Sequence, residues 1–360
     1  MVSHRQLELS KSIQQRTGKT FHLATRFLPE RVRHPTYVLY AFFRLADEVV
    51  DDPDGGLTPE QQRRRLDEFR AAALGRRETD DSGVGDTAPQ TDDSGVGNTA
   101  PPTDDSGVGD AAPQTDDAVL RGFSEVREEY GIPDREVETF VDAMATDVSK
   151  DTYADYDELK AYMRGSAAAV GTMMTEIMGL DGEAAERAYP SAIALGEAFQ
   201  LTNFLRDVGE DVVERDRVYL PRTTLSKHGV SVEQILDRRF DDGVAAAMRD
   251  EMARAESLYH EGVAGIRHLP ADCRFPVLLA AVLYADHHRL IRERGYDTLT
   301  ATPSLSTRRK LSLAARTRLH WARSKDPERV FARVVDTDDV DHTRTGRGSE
   351  TERSRSHLSS

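Results

Sequence analysis

The chain has 360 residues and a formal charge of −15, with 63 acidic against 48 basic side chains. That balance excludes a basic field for holding nucleic acid, and the single cysteine, Cys273, excludes an internal disulfide framework and a Cys-rich metal site. No stretch nears the roughly 20 apolar residues of a membrane-spanning helix, and Met1 to Gln15 lacks the apolar centre of a secretion signal, so the expected compartment is a reducing cytoplasm.

In chain order, the predicted elements are almost all helical, because apolar residues recur at i, i+3 and i+4 and strand-like alternation is scarce. Pro35 opens a helix that runs through Tyr40, Phe43 and Val50 and ends at Pro53-Asp-Gly-Gly. A second helix spans 58–74. Three near-copies of a twelve-residue unit follow: Thr79–Gln90, Thr91–Pro102 and Thr103–Gln114. Gly, Pro, Ser and Asp dominate each copy, which leaves too little apolar surface to offset the entropy of ordering. Residues 76–117 are therefore expected to form a disordered acidic insert. The ten aspartates of 79–117, with no Lys or Arg among them, carry much of the acidity, and without them the charge falls to −5. Further helices are predicted at 118–130, 134–149, 155–179, 183–210, 240–267, 273–294 and 305–323. The polar tail, 326–360, is expected to be disordered. The fold class is all-α, a single domain over 1–325 around a central apolar cavity.

Two of these helices carry unusual chemistry. Arg44-Leu-Ala-Asp47-Glu-Val-Val-Asp51 sets two aspartates four residues apart, and Gln200-Leu-Thr-Asn203-Phe-Leu-Arg206-Asp207-Val-Gly-Glu-Asp211 repeats the spacing with Gln200 and Asn203 on the same side. Residues i and i+4 share one helix face, so each stretch aims a set of oxygens in one direction. Carboxylates held together repel unless a cation compensates them, and hard oxygen donors suit Mg2+. Taken alone, Asp47/Asp51 also reads as a solvated helix end or an Arg44–Asp47 ion pair, and the charge run 210–217 reads as a solvated face. Asn203 and Asp207 lie among Phe199, Leu201, Phe204 and Leu205, where an uncompensated charge is costly. Tyr162-Met-Arg-Gly165-Ser-Ala-Ala-Ala-Val-Gly171 is a small-residue stretch that suits helix packing or close approach of a bulky ligand. His287 and His288, adjacent on a helix, point about 100° apart and make no joint metal site.

Together these stretches resemble the squalene/phytoene synthase family of head-to-head prenyl transferases. The likeness rests on Thr20-Phe21 with Leu28-Pro29 and Arg33, on both Asp motifs, on Tyr162 to Gly171, on Arg217-Val-Tyr219-Leu-Pro221, and on Leu283-Tyr284, Gly295-Tyr296-Asp297 and Arg309-Lys310. Departures are Thr20 in place of Ser, Ser166-Ala-Ala-Ala in the small-residue segment, and one extra residue between Asp211 and Arg217. The resemblance implies an isoprenoid-synthase-type helical bundle that condenses two geranylgeranyl diphosphates through a cyclopropylcarbinyl diphosphate to phytoene. Asp47, Asp51, Asn203, Asp207 and Asp211 would hold Mg2+, with Mn2+ as a substitute and no NADPH expected. Thr20, Phe21, Arg44, Gln200, Asn203, Arg217 and Tyr284 would bind substrate, and Tyr162 would steer the cation or relay a proton. Peripheral membrane contact would serve product release. The alternatives are squalene or dehydrosqualene synthesis from farnesyl diphosphate, and a non-catalytic relative of the assembly-factor kind.

Overall fold

A computed structural model describes residues 2–51, 56–76 and 111–335. Residues 77–110, which hold most of the repeats, and the tail beyond 335 lie outside the described residues. Two short helices, α1 (His4–Thr17) and α2 (Lys19–Thr25), precede α3 (Glu30–Asp51). A capping box at Ser3 and Gln6 starts α1, satisfying backbone donors that the first turn leaves free. Helix α3 begins five residues before Pro35. Proline at that position cannot donate to the carbonyl of Arg31, and the Tyr130 hydroxyl donates to that oxygen instead (2.9 Å).

Helix α4 (Pro59–Ala73) is opened by a capping box on Thr58 with Pro59 in the first turn. Helix α5 (Ala111–Tyr130) starts inside the third repeat, so 111–117 belong to a helix rather than to the expected insert. Helix α6 (Asp134–Asp147) follows. Phe42 of α3 knits this half together: it is fully buried, stacks on Phe123 (3.7 Å between ring centres) and Phe69 (4.9 Å), and meets Phe140 at 5.5 Å.

The predicted helix 155–179 is interrupted. It forms α7 (Tyr156–Met163), a π turn over Arg164–Ala168, and α8 (Ala169–Ile177). A π turn inserts an extra residue and re-aims the following side chains. Helix α9 (Gly182–Arg206) is exposed at Glu183, Glu186 and Arg187 but buried from Ala194 to Leu205 on much of its surface, where α8, α13 and α14 pack against it. A Cβ on Gly171 would come within 2.4 Å of the Ala192 carbonyl, so only glycine lets α8 approach α9 this closely.

The predicted helix 183–210 also breaks, at Asp207, where φ is −104°, and α10 (Val208–Arg215) continues from there. Short helices α11 (Arg222–Lys227) and α12 (Val232–Leu236) lead to α13 (Asp242–Gly265), α14 (Ala271–Glu293) and α15 (Thr307–Arg323). Helix α13 packs along α9, and α14 closes against α2, α9 and α15. Strand-like pairing among the described residues is confined to one bridge, Thr152 with Val218.

The tail departs from expectation. Residues 327–335 form a helix whose Val330, Phe331 and Val334 are buried, with Phe331 stacked on Tyr259. Three apolar residues on one face of a short helix suffice to dock it. No helix among the described residues is long and apolar enough to cross a membrane.

Candidate active site

A cavity of about 780 Å³ lies among α2, α3, α6, the π turn, α8, α9, α13 and α14. Every residue proposed from the sequence lines it: Thr20, Phe21, Arg44, Asp47, Asp51, Tyr162, Gln200, Asn203, Asp207, Asp211, Arg217 and Tyr284. Phe21, Phe199 and Tyr284 form an aromatic wall, with Phe21 4.4 Å from Tyr284 and 5.5 Å from Phe199. Ser166, Ala167, Val170 and Gly171 of the small-residue stretch line the cavity as well as packing helices.

The helix break preserves the stripe of oxygens. Gly209 donates to the Thr298 carbonyl (3.1 Å), and a Cβ there would sit 2.3 Å from the Leu299 carbonyl. The segment 298–299 therefore lies directly against the backbone at Gly209 and takes one hydrogen bond out of the helical ladder. On either side the i→i+4 pattern survives: Asp207 N–H donates to Asn203 O (2.9 Å) and Asp211 N–H to Asp207 O (2.8 Å).

Each site aspartate has an arginine within reach. Arg44 lies 3.9 Å from Asp47 and 3.3 Å from Glu48. Arg206 grips both oxygens of Asp207, Nε donating to Oδ1 at 2.7 Å. Arg215 joins the two motifs: Nε donates to Asp51 Oδ1 (3.0 Å), Nη2 to Asp51 Oδ2 (3.1 Å) and Nη1 to Asp211 Oδ1 (3.2 Å). The run 210–217 is thus split: Glu210, Glu214 and Asp216 are exposed, as a solvated face predicts, while Asp211 and Arg217 are buried and Arg215 is turned inward. The sequence reading missed Arg215, although its i+4 spacing from Asp211 was the available signal.

Positive charge does not fully compensate the carboxylates. Burial, and after it the Asp51 charge, pushes the Asp47 carboxyl up to about 7; its side chain keeps 44% exposure because it faces the open cavity. Burial pushes Asp211 up to about 8 against the opposing pull of Arg215. Asn203 Oδ1 is buried and has no hydrogen-bond partner among the described residues. An unpaired buried acceptor, one helical turn from Asp207 and two from Asp211, is an oxygen-donor set that fits Mg2+. Among the described residues no three acidic, His or Cys side chains converge on one point.

Arg217, expected on the diphosphate, is committed elsewhere. Its guanidinium donates to the Asp147 carbonyl (2.6 Å), approaches Asp147 Oδ2 (3.8 Å) and contacts the Tyr219 hydroxyl (3.4 Å). Asp147, which the sequence reading did not single out, also accepts from the Tyr162 hydroxyl at 2.6 Å. Burial raises the Asp147 carboxyl to about 6, with Arg217 opposing, and holds the Tyr162 phenol well above its usual range. Tyr219 stacks on Phe204 at 4.0 Å. The Thr152–Val218 bridge pins this segment, Val218 N–H donating to Asp151 O (2.8 Å). His287 and His288 share no site: His287 Nδ1 lies 3.0 Å from the Tyr284 carbonyl, and His288 Nε2 3.0 Å from the Thr202 hydroxyl.

The sequence profile of the squalene/phytoene synthase family matches residues 14–315. The chain belongs to that family, and with it to the prenyl transferases. The phytoene synthase of Cereibacter sphaeroides is 32% identical over 299 residues, covering 82% of this chain and 75% of that protein. The phytoene synthase of Thermus thermophilus is 33% identical over 280 residues, covering 78% and 81%. Chloroplastic phytoene synthase 1 of Solanum lycopersicum is 30% identical, and the chain spans 63% of its length. In fold, a ligand-bound dehydrosqualene synthase superposes with a TM-score of 0.68 at 23% identity, over 89% of this chain and 98% of that one. A squalene synthase from Alicyclobacillus acidocaldarius gives 0.62 at 23% identity, over 81% and 95%. The all-α, isoprenoid-synthase-type architecture expected from the sequence is the observed one.

Proposed function

We propose that this squalene/phytoene synthase family member joins two molecules of geranylgeranyl diphosphate head to head to give phytoene, with Mg2+ held by Asp47, Asp51, Asn203, Asp207 and Asp211. One observation carries the reading: both aspartate motifs, from helices far apart in sequence, meet through Arg215 on the wall of a single large, partly aromatic cavity. Similarity to phytoene synthases at 32 and 33% identity supports the choice of product.

Bound Mg2+, or Mn2+ in its place, would supply Lewis-acid neutralisation of the diphosphate leaving group. Arg44 and Arg206 offer guanidinium forks to diphosphate oxygens. As the allylic C–O bond breaks, the faces of Phe21, Phe199 and Tyr284 shield the carbocation from water and favour its charge. The double bond of the second substrate attacks, and loss of a proton closes the cyclopropane. Departure of the second diphosphate, rearrangement and a last proton loss give the hydrocarbon. No electrons enter, so NADPH is not required. Tyr162 and Asp147 form a relay suited to such a proton: both line the cavity, the phenol donates to Asp147 Oδ2, and a carboxyl near 6 accepts a proton at neutral pH. Release of a greasy product calls for peripheral membrane contact, for which Phe27, Leu311 and Leu319 are exposed.

The test is incubation of purified protein with Mg2+ and either the C15 or the C20 diphosphate, with and without NADPH, followed by hydrocarbon extraction. A C40 product with a triene chromophore, formed from the C20 substrate without NADPH, is expected. C30 products alone would overturn the chain length in favour of squalene or dehydrosqualene synthesis. No product, with Asp51→Ala behaving like wild type in substrate binding, would favour a non-catalytic role.

A further inference from the structure

Arg215 is poised where the site must change on loading. It ends α10, and Asp216 in the left-handed region (φ 50°) turns the chain so that Arg217 N–H donates back to Asp211 O. This closure fixes the backbone of the last turn, while the side chain reaches into the cavity wall. Its guanidinium uses both oxygens of Asp51 and one of Asp211, with Glu214 3.6 Å away. The two aspartates lie 160 residues apart in sequence, and Arg215 is a shared counter-charge between them.

A dication on Asp51 competes with that arrangement. Mg2+ binds carboxylate oxygen at about 2.1 Å, and both oxygens are already engaged at hydrogen-bond distance. A dication at the same oxygens would also repel the guanidinium. We infer that Arg215 is a displaceable internal cation: it spans Asp51 and Asp211 until Mg2+ arrives, yields them to the metal, and then turns its guanidinium onto the diphosphate that the metal carries. This inference rests on the proposed metal and diphosphate site, and assigns one residue a different partner in each state. The swing pivots the side chain on the last turn of α10, which the Arg217 N–H to Asp211 O bond holds closed. A guanidinium is a suitable group for it, since its planar fork fits carboxylate and phosphate oxygens alike.

The experiment is isothermal titration of the full chain, treated with EDTA and dialysed, as wild type, Arg215→Gln and Arg215→Lys. Each protein receives MgCl2 alone, and then inorganic diphosphate at saturating Mg2+. Removing the competitor should tighten Mg2+ binding in Arg215→Gln about tenfold and weaken diphosphate binding about tenfold, the scale of one lost charge-assisted pair. Arg215→Lys cannot span both aspartates and should shift both constants the same way by less. In EDTA, Arg215→Gln should melt below wild type, and Mg2+ should close the gap. Unchanged or weaker Mg2+ binding in Arg215→Gln would overturn displacement, and unchanged diphosphate binding would overturn the swing. Should the glutamine variant not fold, the lysine variant decides by the same two constants. Wild type that binds neither Mg2+ nor diphosphate refutes the site itself, whereas wild type that binds both with matching variants refutes only the role of Arg215.

Discussion

The raised carboxyl of Asp211 makes the metal-free protein lose stability as pH rises through neutrality. A carboxyl whose folded pKa lies above its unfolded value holds its proton more firmly in the folded state, so the advantage is complete below the unfolded pKa and vanishes as pH passes the folded one. Asp211 stands at about 8 in the folded chain, against about 3.9 unfolded. Its contribution then drops from about 3 kcal/mol at pH 6 to well under about 1 kcal/mol at pH 8. A loss of about 2 kcal/mol corresponds to roughly 3 °C in Tm for a domain of this size. The side chain is only 12% exposed, so solvent screening takes little from this figure. Asp47 acts in the same direction, discounted by its openness. His287, lowered by burial to about 4, opposes by about 1 kcal/mol over the same range, because it is neutral in the folded state and protonates only on unfolding. Thermal unfolding in EDTA from pH 6 to 8 measures the net slope, and Asp211→Asn isolates the aspartate. The gap between wild type and variant should shift with pH by the amount above, and Mg2+ should raise the wild-type Tm more at pH 8 than at pH 6. A gap that does not change with pH would refute the reasoning.

Three further outcomes are expected. Phe42→Ala removes a fully buried ring from a cluster with Phe69, Phe123 and Phe140 and should cost about 3–5 kcal/mol by chemical denaturation; a cost below about 1 kcal/mol would show that the packing of α3 to α6 does not depend on it. Tyr162→Phe leaves Asp147 Oδ2 without its donor and should lower stability by about 1–3 kcal/mol, with kcat falling more than KM rises; an unchanged kcat would remove Tyr162 from the proton path. Truncation after Ser324 removes Val330, Phe331 and Val334 from the core and should lower stability by about 3 kcal/mol or more, read by urea titration.

The sites most legible in the sequence were those whose geometry is local. The i, i+4 spacing of Asp47 with Asp51, and of Asn203, Asp207 and Asp211, predicts a shared face because a helical turn fixes it, and all five line the cavity. The stripe survives even the break at Asp207, since the bonds on both sides keep helical spacing. The break itself was not legible, because its cause is the Thr298–Leu299 segment, about ninety residues away, pressing on Gly209. The docked helix 327–335 was missed for a related reason: its apolar face is short, and only Tyr259 and its neighbours give it something to cover.

Sequence by itself thus determined the all-helical class, the two sets of oxygen donors and the family to which they belong, because backbone periodicity and residue order carry that information. Tertiary structure alone decided which cation meets which carboxylate. Arg217 turned out to serve Asp147, and Arg215 to bridge Asp51 and Asp211. Both arginines sit in one short charged run; the i+4 spacing of Arg215 from Asp211 is local, but its second partner, Asp51, is not. What separates them is which buried acid lies across the gap when α3, α6 and α10 come together.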